Sequence, residues 1–89
     1  MLKERVFKII SQLMNVPFEE VNEHSSPENI EKWDSFQHVA LVLALEEEFN
    51  IKFTDEEIFR MGKASIILEV LQNKGVEAKH EAVLLAQRS

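Results

Sequence analysis

The chain has 89 residues, 45% of them hydrophobic, with two Gly, two Pro and no Cys. It is long enough for one domain with one modest core but not for a deep catalytic cleft; the missing Cys rules out disulfides, thiolate metal sites and thiol nucleophiles. So few turn residues disfavour a β-architecture, and a net charge of −6 argues against nucleic acid, whose phosphates would repel it.

The N-terminus, Met1 to Arg5, is charged and lacks a signal-peptide apolar region. The longest apolar run, Val39 to Leu45, is too short to cross a bilayer. A soluble, cytoplasmic monomer without membrane association is expected. In chain order, Leu2, Val6, Ile9, Ile10 and Leu13 recur at helical spacing and predict a first helix over 2–14, ended by Asn15 and Pro17. Residues 15–34 form a long connection, anchored by Val16, Phe18, Val21, Ile30 and Trp33. Ser26-Pro27-Glu28 within it predicts one helical turn, Ser26 as cap and Pro27 at the first position. A connection this long in so small a domain tends to be functional.

A second helix is expected over 35–50. Asp34 and Gln37 have capping-box spacing, which makes Ser35 the first helical residue and frees its hydroxyl from capping. Thr54 and Glu57 form a second such box and open a short helix from Asp55 to about Met61, stopped by Gly62. Ser65 is the expected cap of the last core helix, which carries Ile67, Val70 and Leu71 and stops at Gly75. The carrier of this pattern is residues 1–75; residues 76–89 are a tail or an added short helix. The fold class is all-α, a four-helix bundle with one short helix and a long first loop. Its expected core is Val6, Ile10, Leu13, Leu41, Val42, Leu45, Phe49, Ile67, Val70 and Leu71.

The charge is unevenly placed. From Asp34 to Phe59 there are seven acids (Asp34, Glu46, Glu47, Glu48, Asp55, Glu56, Glu57) and one base, Lys52, a net −6, while the rest of the chain nets zero. Such a run is either a solvated face or a docking surface for basic partners. The second helix also has two apolar faces. Leu41, Val42, Leu45 and Phe49 make one stripe, whereas Phe36, Val39 and Leu43 lie largely on another, beginning beside Ser35 and ending at Glu46 and Glu47. Either this helix is buried all round, or the second set is an exposed patch with an acidic rim, as partner sites have.

Catalysis and metal binding find little support. His38 sits one turn after Ser35, but no third group or pocket completes a nucleophilic site. His24, His38 and His80 lack ligand spacing and read as surface, and the acids lack an EF-hand's alternation. Trp33 is expected as a packing anchor of the loop rather than a partner contact.

At Asp34-Ser35-Phe36 the chain resembles the acyl carrier protein family, whose motif is Asp-Ser-Leu. The match continues through Val39, Leu41-Val42, Ala44 to Phe49 and Asp55-Glu56-Glu57. Glu4-Arg5-Val6 with Ile9-Ile10, then Glu19-Glu20-Val21, look like the family's first helix and following loop, so the resemblance spans about residues 3–75. It implies a four-helix bundle with one short helix, no enzymatic activity, and a 4'-phosphopantetheine arm on Ser35, with Asp34 as neighbour in enzyme recognition. The arm would supply the missing thiol and hold acyl or aminoacyl groups as thioesters. The implied partners are a phosphopantetheinyl transferase and acyl-loading or acyl-transferring enzymes, meeting Phe36, Val39, Leu43, Glu46, Glu47, Asp55 and Glu56. Lys32-Trp33 replaces the Gly and small residue of many members, and Trp-Asp-Ser is similar to discrete carriers of specialised or surface-polysaccharide pathways. Gln37, His38 and Ala40 also point away from the primary fatty-acid cycle. The alternative is a small acidic helical adaptor with no prosthetic group.

Overall fold

The computed structural model describes residues 2–76, which hold four helices and one 3-10 turn. They are α1 (Leu2–Met14), the 3-10 turn (Phe18–Glu20), α2 (Ser35–Phe49), α3 (Asp55–Arg60) and α4 (Ala64–Asn73). Both α2 and α4 pack on α1. The all-helical bundle with one short helix and a long first loop is therefore the observed fold.

Most of the helix boundaries have a local cause. In α1 the stripe Leu2, Val6, Phe7, Ile10 and Met14 is buried. The helix closes at Asn15, whose φ of 55° is left-handed, with the Val16 amide donating back to the Ser11 carbonyl at 3.1 Å. The same closure ends α2: Asn50 has φ 53° and the Ile51 amide donates to the Glu46 carbonyl at 3.1 Å. This is the arrangement that satisfies the otherwise orphaned carbonyls of a last helical turn.

At the start of α2, Asp34 Oδ1 accepts from the Gln37 amide at 2.9 Å. The expected reciprocal bond from Gln37 is not made; the Asp34 amide donates to the Lys32 carbonyl at 3.0 Å instead. The Thr54 and Glu57 box is complete, with bonds of 3.2 and 2.8 Å in the two directions.

The start of α4 departs from expectation. Ser65 lies inside the helix and does not cap it; the N-cap is Lys63, which makes no side-chain capping bond. The first amides are satisfied by the long loop: Ala64 N–H donates to the Ser25 carbonyl (2.9 Å) and Ser65 N–H to the Glu23 carbonyl (3.0 Å). Orphan amides need only an acceptor, and backbone carbonyls from a remote segment serve as well as a side chain. The loop is shaped for this. Buried Ser25 accepts from the Asn22 amide at 3.0 Å, and Ser26 turns the chain by accepting from the Glu28 amide at 3.2 Å.

The core joins all helices and the loop. Val6, Ile10, Leu41, Val42, Leu45, Ile67, Val70 and Leu71 are buried as expected, while Leu13 and Phe49 are half-buried at its edge. Met14, Trp33, Phe53, Met61 and Leu68 are among its other members, and Val21 and Ile30 anchor the loop in it. Phe18 is not an anchor: it sits on the 3-10 turn, which buries none of its residues, and is exposed. Val76, at the start of the expected tail, is buried in the same core, and the rest of that segment lies outside the described residues. No helix among the described residues is long and apolar enough to cross a membrane.

Candidate functional site

The first turn of α2 places Ser35 on the surface, one residue inside a helix already capped by Asp34. The outward face beyond it is apolar. Phe36 is 80% exposed, and Val39 and Leu43 are more than half exposed. The second apolar face of α2 is thus at the surface, not buried in the bundle.

A groove of about 650 Å³ opens beside Ser35, and small-molecule sites commonly span ~300–1,000 Å³. Pro27 and Trp33 of the loop, Asp34, Ser35, His38 and Val39 of the α2 turn, and Ile58, Phe59 and Gly62 around α3 line it. Phe59, 88% exposed, stands on its rim. Sequence reasoning did not single out Phe59, since its place on the groove depends on how α3 lies beside the start of α2. Trp33 is 2% exposed, as expected of an anchor. His38 is not a surface histidine. Trp33 Nε1–H donates to its Nδ1 at 3.1 Å, and its Nε2 meets the Ile58 carbonyl at 3.0 Å.

The acids divide by what they touch. Glu46 is half-buried and accepts from the Phe53 amide at 2.9 Å, which ties the α2–α3 connection to the helix. Glu48 pairs with Arg5, whose guanidinium also lies 4.8 Å from the Phe49 ring centre. Glu57 pairs with Lys74 at 2.9 Å; the Lys74 hydrogen bond, then the Thr54 amide, hold its carboxyl below the usual range. Lys3 does the same for Glu23. Glu47, Asp55 and Glu56 are exposed. On the α2 helix, Glu47 follows Phe36 and Leu43 along one side at steps of seven and four. Among the described residues, no group of three or more His, Asp or Glu is placed to hold a metal ion.

The chain is 32% identical over 76 residues to the acyl carrier protein of Buchnera aphidicola subsp. Acyrthosiphon pisum (strain 5A), covering 85% of this chain and 95% of that one. It belongs to the acyl carrier protein family. The acyl carrier protein of Buchnera aphidicola subsp. Schizaphis graminum (strain Sg) is 29% identical over 73 residues, 82% of this chain and 92% of that one. No protein-family model matches the chain. Acyl carrier proteins are carriers and not enzymes.

Proposed function

We propose that the chain carries acyl or aminoacyl groups on a 4'-phosphopantetheine arm attached to Ser35 and presents them to partner enzymes. The observation that carries this is the placement of Ser35. It is exposed, is relieved of capping by Asp34, and stands at the mouth of a groove walled largely by apolar side chains.

The residues around Ser35 fit such an arm. The N-terminal end of a fifteen-residue helix favours the negative charge of a phosphodiester. Val39, Ile58 and Phe59 offer an apolar wall to the chain beyond it. When bound, the arm supplies a terminal thiol for thioester linkage. The protein's own part is to hold the attachment point outward, to shelter the arm along the groove, and to raise the local concentration of cargo at a docked enzyme.

Asp34 serves recognition as well as capping. Phe36, Val39 and Leu43 form the apolar centre of the docking face, with Glu47, Asp55 and Glu56 as charged rim. Glu46, although proposed with them from sequence, is drawn toward Phe53, so its contribution to docking is through the shape of the α2–α3 corner. The partners are a phosphopantetheinyl transferase and acyl-loading or acyl-transferring enzymes, met through basic surfaces that steer toward these acids. The specialised-pathway character of Trp-Asp-Ser belongs to the same proposal.

Incubation with coenzyme A and a broad-specificity transferase should add the mass of one phosphopantetheine to the parent and nothing to Ser35→Ala. An unchanged parent mass would overturn the assignment in favour of an adaptor without prosthetic group.

A further inference from the structure

His38 is held at both ring nitrogens. The indole N–H of Trp33 can only donate, and it lies 3.1 Å from Nδ1; the Ile58 carbonyl can only accept, and it lies 3.0 Å from Nε2. The two partners therefore assign one state: Nδ1 bare, Nε2 protonated, ring neutral. The Trp33 and His38 rings are nearly parallel, 20° apart with centroids 6.3 Å apart.

The Ile58 end of this bridge matters because α3 is short. It has six residues and buries none of them. Among the described residues, the polar contacts that tie α3 to other helices are His38 Nε2 with the Ile58 carbonyl and Lys74 with Glu57. Trp33, His38, Ile58 and Phe59 all line the groove beside Ser35. The His38 bond to the Ile58 carbonyl is the polar contact that joins the two walls of that groove, while Lys74 and the buried Met61 hold α3 from the other side.

We propose that His38 is a proton-sensitive positioning residue for this groove: the neutral ring pins α3, through the Ile58 carbonyl, to the indole of Trp33, and protonation breaks the Trp33 end. A proton taken from solvent onto Nδ1 makes both ring nitrogens donors, so two N–H groups then face each other. The Trp33 N–H is buried and has no other partner among the described residues, so the pair must separate. The Nε2 bond to Ile58 survives, and the ring and α3 move together away from the indole. The titratable and charged groups flanking Trp33 and Ile58 along the chain are Glu31, Lys32 and Asp34 on the loop and helix start, and Asp55, Glu56, Glu57 and Arg60 on α3; Glu19, Glu20, Glu23, His24 and Glu28 lie farther along the loop and Glu46 to Glu48 at the far end of α2. Of these, Asp34 lines the groove with His38, and Glu57 is engaged by Lys74.

The chain has a single Trp, so the readout is unambiguous. Imidazole ¹⁵N shifts at pH 8 should show the Nε2–H tautomer for His38. As the pH is lowered from 8 to 5, changes in the Trp33 indole N–H resonance, Trp fluorescence and the amides of Ile58 to Met61 should track the His38 ring signals. In His38→Gln the Trp33 signals should be flat over that range. An Nδ1–H tautomer, Trp33 signals that stay fixed while His38 titrates, α3 amides with a different midpoint, or an unchanged titration in His38→Gln would each overturn the proposal. Should that variant fail to fold, the parent titration alone decides. The unmodified chain is used, so the outcome is independent of the Ser35 assignment.

Discussion

Glu46, Glu47 and Glu48 are consecutive and chemically identical, yet they should respond to truncation in three different ways. Glu46→Ala removes the acceptor for the Phe53 amide, a 2.9 Å bond to a charged group at a buried residue. Hydrogen bonds to charged groups contribute about 1.5–3 kcal/mol, and half-burial places this one near the lower end, about 1.5–2 kcal/mol. The Lys52 ammonium, 4.0 Å away on a side chain 90% exposed, adds little. Ala is the best helix former, so the loss cannot be a propensity effect. For a domain of this length the melting temperature should fall by roughly 6–16 °C. Glu47→Ala should stay within about 0.5 kcal/mol of the parent, as exposed positions do. Glu48→Ala, which breaks a half-exposed pair with Arg5, should cost below about 1 kcal/mol. Urea titrations and thermal melts followed by circular dichroism measure all three. Equal, negligible losses at Glu46 and Glu47 would refute the division of the cluster into one structural and one free acid.

Three further outcomes are expected. Leu45→Ala, at a fully buried position of α2, should destabilise by about 2–5 kcal/mol in urea unfolding, and a loss under about 0.5 kcal/mol would mean the core face is misassigned. Glu47→Lys should slow association with a transferase at low salt and lose that effect as salt rises, whereas Leu43→Ala should weaken binding with little salt dependence; stopped-flow rates against ionic strength distinguish them. The Glu57 carboxyl is depressed in the fold by Lys74, so its contribution to stability is present above the ordinary carboxylate range and is lost as pH falls through its lowered folded value. Urea midpoints of the parent should therefore drop below about pH 4.3, and those of Glu57→Gln should drop less.

Where a feature depends on nearest neighbours along the chain, the residues announce it. The 3.6 period of Leu2, Val6 and Ile10 sets the first helix, and Asp34 and Thr54 mark two helix starts, because caps act over three residues. The separation of Phe36, Val39 and Leu43 from the core face of α2 follows from helix angle alone. What depends on a remote segment is not legible in this way. Ser65 looks like a cap, but Glu23 and Ser25 carbonyls come from forty residues upstream to do the work. Glu46 looks like its neighbours until the chain returns at Phe53. His38 looks like a surface histidine, since nothing in its spacing indicates that Trp33 folds beneath it or that Ile58 presents a carbonyl. Phe59 and the groove exist only once α3 is laid beside the start of α2.

The central claim is that Ser35 bears the cargo. Purification of the full chain from its own cells, followed by proteolysis and mass mapping under conditions that preserve thioesters, tests it most directly. The fragment containing Ser35 should carry phosphopantetheine, in part with an acyl or aminoacyl group attached, and no other serine should be modified. A bare Ser35 in every recovered copy, or the arm on a different residue, would contradict the account.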